Sequence, residues 1–147
     1  MAAWDEQLMW AKYHLSVAKR LLDNFENYET KNFLSSCMTE MAMAATGFVN
    51  SYLICFHVRN GSAIPKKSKA RIEIFERNGE QKVIENVLKI FEIRRAQKNS
   101  PIELLRGDKI LLLDHGEYKA LTRERLRELI TNLESDVNSF GGRAEDV

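Results

Sequence analysis

The stretch from Phe33 to Val58 constrains the fold of this chain most, because it is long, apolar and almost uncharged. It carries a single formal charge, at Glu40, and it is long enough to cross a bilayer. Polar side chains interrupt it on several faces, at Ser35, Ser36, Thr39, Thr46, Asn50, Ser51 and His57. Such interruptions are typical of a central helix that is packed by protein on most sides. We therefore expect a core helix and no membrane association.

Apolar residues recur at helical spacing on both sides of this stretch. The spacing predicts helices over 4–24, 30–58, 68–77 and 80–98, and a last helix that begins after Thr122. Ser68 and Thr122 are the expected N-caps of the third and last helices. Gly141 and Gly142 are expected to end the last helix and release a polar tail.

The first predicted helix has two apolar stripes. One stripe follows Trp4, Leu8, Ala11, Leu15, Ala18 and Leu22, and the second follows Trp10, His14, Val17, Leu21 and Phe25. Residues at these spacings share one side of a helix. Together the stripes predict a buried face wide enough to contact two partner helices.

Helical periodicity disappears between Asn99 and Ala120. Ser100 and Pro101 block continuation of the helix, and residues 102–113 have the pattern of two short strands around a turn. The prediction is a mainly α fold, an antiparallel bundle of four or five helices with one short β-hairpin before the last helix. We expect a single helical-bundle domain over 1–142 and a polar tail over 143–147.

The charge balance limits the classes of partner. The chain has 22 basic and 21 acidic residues and a formal net charge of +1, so nucleic acid would have to bind to a local patch. The first residues lack the basic region and apolar run of a secretory signal, and we expect a cytoplasmic location. Cys37 and Cys55 fall in one helix, roughly 27 Å apart at its rise per residue, and are expected to be free thiols.

No common catalytic or cofactor signature is present. The sequence lacks a Gly-rich phosphate loop, a Cys-x-x-Cys pair, a His-Glu-x-x-His motif and the Glu-x-x-His pairs of di-iron bundles. The three histidines, His14, His57 and His115, belong to different elements. We therefore predict no metal, no other cofactor and no catalytic residue.

Glu40 stands out because a carboxylate in an otherwise uncharged central helix is costly unless it has a partner. One interpretation places it at the solvent-exposed rim. The other pairs it with Arg94 or Arg95 at the end of the fourth helix.

Two basic clusters are candidate sites for an anionic ligand. The first comprises Arg94, Arg95 and Lys98, with Gln97 and Asn99 beside them. The second comprises Lys66, Lys67, Lys69 and Arg71, and its lysines, with Glu40, would support the first. Together they could hold the phosphates of a nucleotide or an RNA. The alternative is structural: cations are favoured at a helix C-terminus, and the lysines would belong to a solvated loop.

The order of elements resembles the HEPN domain family. The resemblance lies in residues 14–22 of the first helix, in the Met- and Ala-rich second helix, and in a long helix ending in arginine. It also lies in Ser100-Pro101-Ile102-Glu103, in Gly107-Asp108-Lys109-Ile110 and in Leu121-Thr122. The resemblance implies a homodimeric bundle, with a nucleotidyltransferase-type protein as a possible partner.

Active members of that family cut RNA without a metal, with an arginine followed four to six residues later by a histidine. Here Ala96, Gln97, Lys98, Asn99 and Ser100 follow the arginines, and none of them can replace histidine as an acid or base near neutral pH. The expected function is noncatalytic binding of a nucleotide, RNA or partner protein through a polar, basic groove. The alternatives are a divergent metal-independent ribonuclease that uses another histidine, and a purely structural protein-interaction bundle.

Overall fold

A computed structural model of the chain describes residues 3–24, 30–99, 103–106, 109–114 and 116–144. Five helices occur in these ranges: α1 (Ala3–Asp23), α2 (Thr30–Asn60), α3 (Ser68–Arg77), α4 (Gln81–Asn99) and α5 (Arg123–Ala144). The predicted mainly α fold is confirmed, and the helix bounds agree with the predicted ones to within a few residues. Phe25, Ser100, Pro101 and His115 lie outside the described residues.

The helices pack in antiparallel pairs around α1. Ser51 Oγ on α2 donates to the carbonyl of Trp4 at 2.6 Å, and Cys37 Sγ lies 3.9 Å from the carbonyl of Ala18. α1 and α2 therefore run in opposite directions. Trp4 at the start of α1 packs against Phe140 near the end of α5, and Asp23 at the end of α1 lies 3.2 Å from Arg127 near the start of α5, so these two helices are also antiparallel.

α4 makes its main helix contacts with α2 and α5. The buried apolar side chains of the four long helices form one core, and its largest fully buried members include Phe48, Met41, Ile90 and Leu129. α3 closes one end of the bundle, where the ring of its buried Phe75 stacks on Tyr52 of α2 at 4.0 Å.

A small antiparallel sheet lies between α4 and α5 in the chain. Its strands are β1 (Glu103–Arg106), β2 (Lys109–Asp114) and β3 (Glu117–Thr122), in the order β1-β2-β3. The predicted hairpin corresponds to β1 and β2, in which Glu103 pairs with Leu112. The sequence analysis predicted only two strands here, over 102–113, whereas a third strand, β3, begins at Glu117 and pairs it with Asp114.

Three local predictions about helix ends can be compared with the structure. Thr122 caps α5 as predicted, because its Oγ1 accepts a hydrogen bond from the backbone N–H of Arg125 at 3.0 Å. Ser68 is already helical, and Lys67 occupies the N-cap of α3 without a side-chain bond. Gly141 and Gly142 do not end α5, which continues to Ala144. Gly141 faces Leu8 of α1, so packing favours its helical conformation.

One helix among the described residues, over Ser35–Asn60, passes a length and composition test for a membrane span. Half of its apolar window is buried inside the bundle. The side-chain amide of Asn50 on this helix donates a hydrogen bond to Oε1 of Gln7 on α1 at 3.3 Å. Its surroundings are those of the central helix that the sequence predicts.

Candidate functional site

A histidine and a glutamate meet between α1 and α2. His14 is buried, and its Nδ1 donates a hydrogen bond to Oε2 of Glu40. The predicted pairing of Glu40 with Arg94 or Arg95 is therefore wrong. Glu40 lies on the side of α2 that faces α1, whereas α4 packs against another side of that helix.

Two aromatic rings cover the imidazole. The ring centroids of Trp10 and Tyr13 lie 4.3 and 5.0 Å from that of His14, both in edge arrangements. Nε2 of His14 is buried and has no hydrogen-bond partner among the described residues. A buried ring nitrogen without a partner is uncommon, because it loses its bond to water.

The residues that cover His14 are themselves unusually exposed. Met9, Trp10 and Tyr13 expose 54%, 48% and 61% of their surfaces. The predicted burial of the second stripe is correct at His14 and wrong at Trp10. Met9, Trp10 and Tyr13 form an additional apolar side of α1, which already packs against α2 and α5. An apolar side beyond the two that a helix can bury in its own bundle is the sequence signal for this exposed surface.

Gly47 explains how Trp10 is placed. A Cβ atom at Gly47 would lie 2.9 Å from the carbonyl oxygen of Gln7 and 3.0 Å from Cδ1 of Trp10. The two helices therefore approach each other closely at this point, and the indole lies next to the glycine. A larger residue would force α1 and α2 apart, since one of the atoms it meets belongs to the backbone.

The outer side of α2 continues the apolar surface. Met43, Thr46 and Asn50 recur at spacings of three and four residues, so they share one side of the helix, and all three are half-buried or exposed. None of them is charged. We call the surface formed by these three residues and by Met9, Trp10 and Tyr13 the α1–α2 face.

The predicted basic site is partly assembled at the end of α4. Gln97 is buried, and its Oε1 accepts a hydrogen bond from Nη1 of Arg94. Arg95 and Lys98 are exposed, and within the described part of the chain neither forms a hydrogen bond or ion pair. The side chain of Asn99 lies outside the described residues.

The lysine cluster lies on a different element. Lys66, Lys67 and Lys69 are exposed around the start of α3, where Arg71 Nε donates to the carbonyl of Pro65 at 2.8 Å. Among the described residues, no hydrogen bond or ion pair joins these lysines to Arg94 or to Glu40. Glu40 is bonded to His14 and belongs to neither cluster, and the joining of the two basic clusters into one site stays a prediction.

A small cleft lies at the end of the bundle that α3 closes. It has a volume of about 250 Å³ and is lined by polar and aromatic side chains, among them Tyr52, Arg59, Asn78, Glu80 and Phe140. The hydroxyl of Tyr52 accepts a hydrogen bond from Nδ2 of Asn78 at 3.0 Å. Ligand pockets usually measure about 300 to 1,000 Å³, so the cleft is small for a drug-sized ligand.

The nucleophile nearest to the His14–Glu40 pair is poorly suited to chemistry. Burial, with the nearby charge of Glu40, raises the pKa of the Cys37 thiol to about 12. A thiol reacts as its thiolate, so Cys37 is inert near neutral pH. Across the described residues, no three histidine, cysteine or acidic side chains are grouped as metal ligands would be.

Comparison with known proteins gave no relative: no family model, no curated protein and no solved structure matches this chain. The resemblance to HEPN domains therefore depends on the sequence pattern alone. The two candidate functional surfaces of the chain are the α1–α2 face and the basic end of α4.

Proposed function

We propose that this chain is a noncatalytic, HEPN-like binding module that associates with a second copy of itself through the α1–α2 face. The observation that carries the proposal is the half exposure of Met9, Trp10 and Tyr13 on adjoining turns of α1. Aromatic residues and methionine are enriched where proteins bind one another. Trp and Tyr are also frequent among the residues that contribute most to binding.

A second copy suits this surface because the side chains that α2 contributes to it carry no charge. Two identical surfaces meet in a symmetric dimer, and like charges would oppose that contact. Met43, Thr46 and Asn50 bring none.

The exposed area is consistent with a dimer of moderate affinity. The three exposed side chains on α1 offer roughly 100 Å² each, or about 600 Å² over two copies, and burial contributes about 25 cal/mol for each Å². The gross gain of about 15 kcal/mol is opposed by an association cost of about 4 to 15 kcal/mol. The difference, about 0 to 11 kcal/mol, spans dissociation constants from about 1 M to about 10 nM, and the micromolar range lies in the middle of that span.

The noncatalytic part of the proposal is supported by the position of His14. The described residues that follow Arg94 and Arg95 contain no histidine, and His14 binds Glu40 rather than a guanidinium. A general acid or base has to reach the proton that it transfers. RNA cleavage that is lost in a His14→Ala variant, with the fold intact, would instead support the divergent ribonuclease.

Sedimentation velocity tests the dimer directly. The wild-type chain of 17.0 kDa, measured from about 5 to 500 μM, is expected to shift from monomer to dimer. Trp10→Lys places a charge at the centre of the face and is expected to keep the chain monomeric throughout. The matched control is Leu88→Lys, since Leu88 is also an exposed apolar residue, at 39%, but lies on α4.

Two results would contradict the proposal. One is a wild-type chain that stays monomeric at the highest concentration, and the other is a dimer that Trp10→Lys leaves intact. If the dimer dissociates equally in both lysine variants, the interface does not lie on the α1–α2 face. A stable complex with a nucleotidyltransferase-type protein that Trp10→Lys abolishes would assign the face to that partner.

The end of α4 supports a second candidate function, the binding of RNA or nucleotide phosphates. Arg94 is oriented by the buried Gln97, while Arg95 and Lys98 extend from the same turns into solvent. The three cations lie within five residues of one helix and can neutralise several phosphates at once. Such binding weakens steeply as salt rises, because counterions are released.

Filter binding of single-stranded RNA across a salt series tests this second function. Replacing Arg95 and Lys98 by glutamate is expected to weaken binding and to reduce the salt slope by about one for each cation. The charge-matched control replaces Arg77 and Lys82, which are exposed near the other end of α4. Equal loss in both variants would mean that only net charge matters, and no retention at low salt would remove this function.

A further inference from the structure

Two neighbouring polar groups, one on the α1–α2 face and one buried beside it, lack a hydrogen bond within the described part of the single chain. One is Nε2 of His14, whose side chain is only 8% exposed. The other is the hydroxyl of Tyr13, which makes no hydrogen bond within the described part of the chain, although its ring contacts His14. Both groups would need partners if the face became buried.

The two groups are complementary. The carboxylate of Glu40 accepts the hydrogen bond from Nδ1, so Nδ1 carries a hydrogen. In the neutral ring Nε2 then presents a lone pair and accepts. A phenol hydroxyl is a donor, and it is the type of group that Nε2 lacks.

The two groups do not bond within one chain. Consecutive residues on a helix point in directions about 100° apart, and the rings of Tyr13 and His14 meet edge to face at an interplanar angle of 79°. Tyr13 is 61% exposed, and within the described part of the chain its hydroxyl makes no hydrogen bond to the imidazole. A partner for each group has to come from another molecule.

We propose that, in the dimer, the hydroxyl of Tyr13 donates a hydrogen bond to Nε2 of the partner's His14. Twofold symmetry then forms the same bond in the opposite direction, because each contact in such an interface occurs twice. The twofold axis therefore gives a hydrogen-bond partner to the Tyr13 hydroxyl and to Nε2 of His14 in both copies. The inference rests on the proposed function, since it requires the α1–α2 face to be the dimer interface.

Trp10 determines access to the acceptor. Its ring lies 4.3 Å from the imidazole, and Nε2 is buried in the single chain, so the proposed bond requires this neighbouring ring to turn aside. The indole is about half exposed, so it has open space to move into. Rotamer changes of this kind are common when interfaces form.

A Tyr13→Phe variant tests the bond, because it removes the hydroxyl and keeps the ring. Two bonds are lost in each dimer, at about threefold to tenfold in affinity for each. The dimer dissociation constant should rise by about tenfold to a hundredfold. The control is Ser16→Ala, which also removes a hydroxyl from α1. That hydroxyl already donates to the carbonyl of Tyr13 in the single chain, so the Ser16→Ala dimer should be as stable as the wild-type dimer.

Nitrogen NMR of the histidine rings adds a readout that a packing role would not change. In the wild type, the Nε2 resonance of His14 should move towards that of a hydrogen-bonded acceptor as concentration rises and the dimer forms. In Tyr13→Phe at dimer-forming concentration it should stay at its monomer position. Trp10→Lys should hold it there at every concentration.

The outcomes separate the two proposals. If the wild type never dimerises, or if Trp10→Lys leaves the dimer intact, the proposed function fails and the bond fails with it. If Trp10→Lys dissociates the dimer but Tyr13→Phe binds as tightly as the wild type, the bond alone is refuted. A loss of affinity in Tyr13→Phe without any change at Nε2 between monomer and dimer would also refute it.

Discussion

Replacing Glu40 by alanine removes the carboxylate that accepts a hydrogen bond from the buried His14. The substitution leaves Nδ1 of the imidazole in a site where water has little access. The side chains of His14 and Glu40 are 8% and 22% exposed, so solvent cannot readily replace the lost acceptor. The expected result is a clear loss of folding stability.

The magnitude follows from the burial of the pair. A hydrogen bond to a charged group contributes about 1.5 to 3 kcal/mol, and an unsatisfied buried group costs about 1 to 3 kcal/mol. We expect Glu40→Ala to lower the free energy of unfolding by about 2 kcal/mol. For a chain of this size, that corresponds to a fall in melting temperature of about 4 to 8 °C.

Urea unfolding followed by circular dichroism measures the effect, at a concentration where sedimentation shows monomer, because dimer formation would add its own stabilisation. The control is Glu134→Ala. Glu134 binds Lys19 at 2.8 Å, but the two side chains are 38% and 47% exposed. An exposed pair of this kind contributes less than about 1 kcal/mol.

The reasoning would be refuted if Glu40→Ala and Glu134→Ala lost the same small amount of stability. A double-mutant cycle adds a second check. In a His14→Leu background, removal of Glu40 should cost much less than in the wild type. Strictly additive losses would mean that the two side chains do not interact.

Three further predictions concern packing and the buried thiol. Gly47→Ala should destabilise the chain by about 2 kcal/mol or more, because its Cβ would meet the carbonyl of Gln7 at 2.9 Å. Gly142→Ala has open space around its Cβ and should stabilise α5 by about 0.5 to 1 kcal/mol. Urea unfolding measures both changes. Cys37, with its pKa raised to about 12, should resist alkylation at pH 8 until the protein is unfolded, as mass spectrometry would show. Because the folded chain favours the neutral thiol, the free energy of unfolding should be unaffected by Cys37 below its ordinary pKa of 9.0. It should then fall as pH rises towards 12, by about 1.4 kcal/mol per pH unit. Cys37→Ala should flatten that decline.

The helices could be predicted from the sequence because their signals are local. Apolar spacing placed α3 to within one residue of its observed bounds, Ser68–Arg77, and the Thr122 cap was visible from residue type alone. The third strand was missed because Glu117–Thr122 has no strong alternation of its own. It is a strand because β2 offers an edge to pair with.

The candidate site was harder to predict because its contacts join distant parts of the chain. Helical periodicity shows that Glu40 has to find a partner, but not which helix its side of α2 will face. His14, 26 positions away, supplies that partner. The exposure of Trp10 was also hidden, because a sequence pattern shows that a residue is apolar without showing whether a neighbour covers it.

The most direct test of the α1–α2 interface is an isotope-filtered NOE experiment on a mixture of labelled and unlabelled chains, which records only contacts between copies. The account predicts NOEs from the ring protons of Trp10 and Tyr13 of one copy to Met43 and Thr46 of the other. A dimer whose intermolecular NOEs arise elsewhere, for instance from Leu88 on α4, would contradict it.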